Sequence, residues 1–89
     1  MSLQLNIEKL NGFNNYNSWS MTVRAYLESE DLWTVVESGP KNNEASMMKD
    51  KRAKFILLCL VNQGVSDFMV DFPTAGDLWV YLRTNYSNR

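Results

Sequence analysis

The chain has 89 residues, nine basic and ten acidic side chains, one cysteine and no histidine. That length holds one small domain, and a formal net charge of −1 lacks the concentrated positive field of a nucleic-acid module. Without histidine, and with Cys59 alone, the chain can build neither a Ser-His or Cys-His dyad nor a Cys/His zinc site, and it can close no internal disulfide.

Taken in order, Leu3-Gln4-Leu5-Asn6-Ile7 alternates apolar and polar side chains, the period of a half-buried strand. No strand partner is evident elsewhere, so the segment reads as an extended arm. It lies on the helices, pairs with a second chain through its open edge, or stays loosely packed as a terminus. The run Lys9 to Ser20 follows, turn-rich in Asn and Gly and punctuated by Leu10, Phe13, Tyr16 and Trp19. Asn15 or Asn17 is placed to cap a first helix over Tyr16–Ser29, in which Trp19, Val23, Tyr26 and Leu27 share one face.

Asp31 is placed to cap a short helix from Leu32 to Glu37, with Leu32, Val35 and Val36 inward and Trp33 over a seam. Gly39-Pro40 ends it, with Gly39 expected in the left-handed conformation of a C-cap. Asn43 then caps the longest helix, expected from Glu44 to about Gln63. Its second half, Phe55 to Val61, is apolar almost all round. Such a helix is either the central element or has a second partner outside the chain. The expectation adopted is a central helix with Met48, Ala53, Ile56, Leu57 and Leu60 inward and Cys59 packed as a small hydrophobe. Its basic residues Lys49, Lys51, Arg52 and Lys54 fan across a solvated face. Gly64 is expected to close it and Ser66 to cap a single turn, Asp67 to Val70. Thr74, with Asp77 at the N3 position, opens a last helix carrying Leu78, Trp79, Leu82 and Tyr86 on one face.

No enzyme constellation emerges. The four glycines are isolated at expected turns, so there is no phosphate-cradling loop, and the carboxylate pairs sit at helix ends as capping or solvated groups. No apolar run reaches the roughly 18 residues of a membrane-spanning helix. The N-terminus has no basic n-region of a signal peptide. The setting expected is reducing and cytoplasmic.

The residues carry a resemblance. Lys9-Leu10-Asn11-Gly12, then Asn15-Tyr16, Trp19, Leu27 and Leu32-Trp33-Val35-Val36, resembles the start of copia-type retrotransposon Gag proteins. Asp50, Ala53, Ile56 and Leu60 look like that family's long central helix. Thr74-Ala75 with Leu78-Trp79, Leu82 and Tyr86 looks like its closing helix. Two features depart from the pattern: Phe13-Asn14 lengthens the first motif, and no Trp precedes Asp50. Full Gag proteins continue into a second capsid lobe and a zinc knuckle that binds RNA. Neither has a counterpart in these residues, so RNA packaging is not carried over.

The resemblance implies an all-α fold of the retroviral-type capsid N-terminal lobe, a compact bundle of about five helices. Residues 1–13 form an extended, β-like arm and residues 14–89 a helical, capsid-like N-lobe. The expected core is Trp19, Val23, Leu27, Leu32, Val36, Ile56, Leu60, Leu78, Trp79 and Leu82; the candidate interaction residues are Leu3, Leu5, Ile7, Phe13 and Trp33. The expected function is non-enzymatic: self-assembly of a retrotransposon-type capsid. The alternative is a domesticated Gag-derived adaptor that binds a host peptide in an apolar groove or by strand addition. No catalytic residue, metal, cofactor, small-molecule substrate or membrane is expected. The partner is another copy of the chain or a partner protein or peptide, and nucleic acid is not expected of this segment.

Overall fold

A computed structural model describes residues 7–67 and 71–87. They form five helices in the order α1 (Tyr16–Ser29), α2 (Trp33–Ser38), α3 (Glu44–Cys59), α4 (Gln63–Ser66) and α5 (Ala75–Tyr86). No sheet occurs among the described residues; the one β-type pairing is an isolated parallel bridge between Leu10 and Val61.

Helix α1 has the expected bounds. Tyr16, Trp19, Val23 and Leu27 are its buried residues, spaced so that one stripe turns inward along the whole helix. Tyr26 is only half-buried. The α1–α2 joint is tight. Leu32 N–H donates to Leu27 C=O at 2.8 Å, and Asp31 takes a φ of 61°, a left-handed conformation that Asp tolerates better than most residues. Asp31 therefore turns the chain and does not cap α2, whose N-cap is Leu32 with no side-chain hydrogen bond. Gly39 has the expected positive φ, 82°, but with ψ at 160°. That region is also open essentially to Gly alone, and it sends the chain out of α2 extended.

Helices α2, α3 and α5 pack against one another, and α1 packs on α2. Asn43 caps α3 as expected, its Oδ1 accepting from Ser46 N–H at 2.8 Å. The inward residues of α3 are Asp50, Ala53 and Leu57. Asp50 is only 6% exposed, and its Oδ1 accepts from Ala75 N–H at 2.9 Å. Thr74 Oγ1 accepts from Asp77 N–H at 3.1 Å. Two of the four orphan donors at the start of α5 are thus satisfied, one by the local cap and one by a carboxylate from another helix, where the helix dipole favours negative charge. Gly76 lets α5 sit this close: a Cβ there would lie 2.7 Å from the Val36 carbonyl oxygen.

Several expectations are corrected. Helix α3 ends at Cys59, and Gly64 lies inside α4. The cause is long-range: the Leu60 carbonyl accepts from Leu10 N–H at 2.9 Å and from Trp19 Nε1 at 2.8 Å, and Val61 is committed to the bridge. Met48 is 58% exposed. It lies nine residues from Leu57, about two and a half turns at 3.6 residues per turn, and so on the opposite face. Cys59 is exposed for the same reason. Of the expected core, Trp19, Val23, Leu27, Leu32, Val36, Leu78, Trp79 and Leu82 are buried, while Ile56 and Leu60 are partly buried against it. The expected turn at Asp67–Val70 falls mostly outside the described residues.

Candidate interaction surface

The turn-rich run before α1 is a clamp. Leu10 is fully buried, and its backbone binds on both sides of the Leu10–Val61 bridge, donating to Leu60 C=O and accepting from Asn62 N–H at 3.0 Å. Asn62 Nδ2 also donates to Asn11 Oδ1. Asn15 is the N-cap residue of α1, yet its side chain makes no cap bond. It closes the preceding loop instead, accepting from Asn11 N–H and donating to Lys9 C=O, both at 3.0 Å. Tyr16 and Trp19 then pack inward with ring centroids 6.1 Å apart, and Trp19 stacks on Trp79 at 5.9 Å. Burial raises the Tyr16 phenol above its ordinary pKa, opposed by the nearby Arg83 charge and a hydrogen bond with Ser20.

The structure separates the five candidate interaction residues. Leu3 and Leu5 lie outside the described residues. Ile7 is half-buried against the core and lines a small cleft of about 220 Å³ with Trp19 and Thr22. Phe13 is 63% exposed at the loop tip. Trp33 is half-buried: its ring meets Trp79 edge-on at 5.1 Å, and the Arg24 guanidinium sits 4.6 Å from its centroid. The Trp33 Nε1 atom is buried with no hydrogen-bond partner among the described residues.

A second apolar stripe runs along the outside of α3. Met48, Phe55 and Cys59 are spaced i, i+7 and i+11 and fall on one line; Phe55 is 66% exposed. Met48 and Phe55 line a shallow groove of about 470 Å³ together with Lys49, Lys51 and Arg52. Two of these cations are held to the α1–α2 joint: Lys49 Nζ lies 2.7 Å from Asp31 Oδ2, and Arg52 Nη2 lies 3.0 Å from Glu30 Oε1. The hydrogen bond and charge of Lys49 hold the Asp31 carboxyl below its ordinary pKa. A more polar groove of about 490 Å³ lies between α2 and the start of α3, lined by residues including Thr34, Ser38, Lys41 and Ser46. Among the described residues there is no group of three or more His, Cys, Asp or Glu that could hold a metal ion, and no helix is long and apolar enough to cross a membrane.

The outer stripe was within reach of the sequence. The apolar residues of α3 include two lines on opposite faces, one through Ala53 and Leu57 and one through Met48, Phe55 and Cys59; with Met47, Ile56 and Leu58 between them they read as a helix apolar all round. A family model described as a domain of unknown function, DUF4219, matches residues 10–37. That segment starts at the clamp residue Leu10 and takes in α1 and most of α2. No curated protein and no solved structure matches the chain.

Proposed function

We propose that the chain is a non-enzymatic, capsid-like N-terminal lobe of the copia-type Gag kind, which associates with further copies of itself. One observation carries the reading: the longest helix of a small helical domain leaves Met48 and Phe55 in water beside its own well-filled core. Small domains bury only about 60–65% of their unfolded surface, so large apolar side chains aligned in a groove are costly to leave uncovered, and such patches mark contact sites. The match at residues 10–37 is compatible with this, since that domain is found in retrotransposon Gag-like proteins. The order of the Lys9–Trp19, central-helix and Thr74–Tyr86 motifs supports the copia-type assignment.

The test is mass against concentration by sedimentation equilibrium or light scattering, carried to about 1 mM, where a contact worth about 4 kcal/mol becomes visible. The wild-type mass is expected to rise with concentration, and Phe55→Ser to hold it at the monomer value. A wild-type protein that stays monomeric throughout defeats the proposal.

A further inference from the structure

The outer stripe of α3 is bordered by positive charge. Between Ala45 and Asn62 the only acidic residue is Asp50, and Asp50 is turned inward onto α5. Lys49 and Arg52 have their partners in Asp31 and Glu30. Exposed Lys51 and half-buried Lys54 have no acidic partner among the described residues.

This bears on how two copies meet. The Met48–Phe55 stripe is centred on residues 51 and 52. In a twofold contact of α3 on α3, the patch meets its own copy, and Lys51 at its centre, which has no acidic partner among the described residues, comes near the axis and faces its own copy. Like charges opposed in a closing interface are strongly unfavourable. The stripe is therefore poorly suited to pair with itself.

Helix α5 carries the complementary surface. Val80 is 48% exposed, and Asp77, one turn earlier, is exposed and unpaired among the described residues. Phe72 packs on Tyr81 of α5 with centroids 5.1 Å apart, which keeps the neighbouring, exposed Asp71 beside α5. From Asp67 to Leu82 the chain holds three acidic residues and no Lys or Arg; the next residue, Arg83, is exposed one turn beyond Val80 and its charge acts on Tyr16 of α1. An apolar residue with acidic residues on its N-terminal side thus stands on one helix, and an apolar stripe with a basic border on another.

We infer that the outer stripe of α3 docks on the α5 face of a second copy, Met48 and Phe55 against Val80, and Lys51 and Lys54 toward Asp71 and Asp77. The inference rests on the self-assembly reading and specifies its geometry. Such a head-to-tail contact leaves one donor and one acceptor surface open on every complex. It therefore propagates to a ring or a filament and does not stop at a dimer.

Two measurements test it. The first follows association of the wild-type protein between roughly 20 and 500 mM NaCl, a range over which the screening length falls several-fold. A basic stripe on an acidic face weakens as salt rises; a basic stripe on itself strengthens. The second uses charge reversal, Lys51→Glu with Lys54→Glu in one protein and Asp71→Lys with Asp77→Lys in another. Each alone is expected to associate at least about tenfold more weakly than wild type, and a mixture of the two to regain the contact. Asp77 lies in the first turn of α5, so Asp71→Lys with Asp77→Asn serves where helical circular dichroism shows the double reversal to be unfolded. Association that strengthens with salt, or an Asp71/Asp77 variant that assembles as wild type does, overturns the inference and leaves self-assembly standing. A wild-type protein that is monomeric at low salt and about 1 mM, and indifferent to Phe55→Ser, removes both.

Discussion

The two faces of α3 are made of similar material and are used differently. Ala53 and Leu57 on the inner face are fully buried between α2 and α5, and Asp50 on the same face supplies a hydrogen bond to the first turn of α5. Met48 and Phe55 on the outer face have more apolar surface to bury and are left in water, beside cations that reach only to the α1–α2 joint. The inner face answers to folding and the outer face to whatever covers it. The lesson is that residue type does not assign a side chain to the core: position around the helix and the elements available to cover that position do.

Six substitutions at five positions break or sharpen this contrast. The largest effect is expected where the inner face loses volume. Leu57→Ala should cost about 3 kcal/mol of stability through lost burial and the cavity left behind, read as a lower urea midpoint. Phe55→Ser, removing a larger side chain two residues away, should stay within about 0.5 kcal/mol. Equal losses at the two positions would erase the distinction.

Next comes close approach at the α2–α5 contact. Gly76→Ala puts a methyl group 2.7 Å from the Val36 carbonyl oxygen, which is backbone and cannot swing aside, so about 2 kcal/mol is expected from overpacking. Alanine is the better helix former, and a stabilised variant would show that α5 shifts freely on α2.

The buried carboxylate follows. Asp50→Ala leaves the Ala75 N–H without its acceptor and should cost about 1–2 kcal/mol. Asp50→Asn keeps an oxygen in place and should recover most of that, losing mainly the charge–dipole part, under about 1 kcal/mol. If Asn is as damaging as Ala, the charge and not the hydrogen bond holds α5.

The smallest effect belongs to the exposed flank. The Asp31 carboxyl is held below its ordinary pKa by Lys49. Its contribution is therefore present above the ordinary aspartate range, near pH 4, and fades as pH falls through the lowered value. Asp31→Asn keeps a residue that tolerates the left-handed backbone here and should flatten that part of the acid limb in a pH series of melting temperatures.

Much of the fold was legible because much of it is local. The stripe Trp19, Val23 and Leu27 announced α1, and the caps Asn43 and Thr74 stand where their side-chain chemistry placed them. The candidate surface was legible only in part. Of the candidate contact residues, Phe13 is exposed, whereas Trp33 is engaged by Trp79 and Arg24. The sequence places Met48 inward and Cys59 as a packed hydrophobe, because an apolar run carries no mark of which side will be covered. The sequence offers Asn15 or Asn17 as the cap of α1; Asn15 holds the N-cap position but its side chain clasps the preceding loop, since both roles use the same amide.

What the sequence determined by itself is the set of short-range features: the starts of α1, α3 and α5, the single apolar stripes of α1 and α5, the turn chemistry at Gly12 and Gly39, and the absence of histidine chemistry. Each depends on residues within a turn or two of one another. Only the tertiary structure decided where α3 stops and which of its two stripes is inside. The helix ends because Leu60 turns its carbonyl to Leu10 and to Trp19, the latter 41 residues away. The inner stripe is the one with Asp50 because that carboxylate meets the start of α5. Contacts across such distances are set by how the helices pack, and no local pattern of residues encodes them.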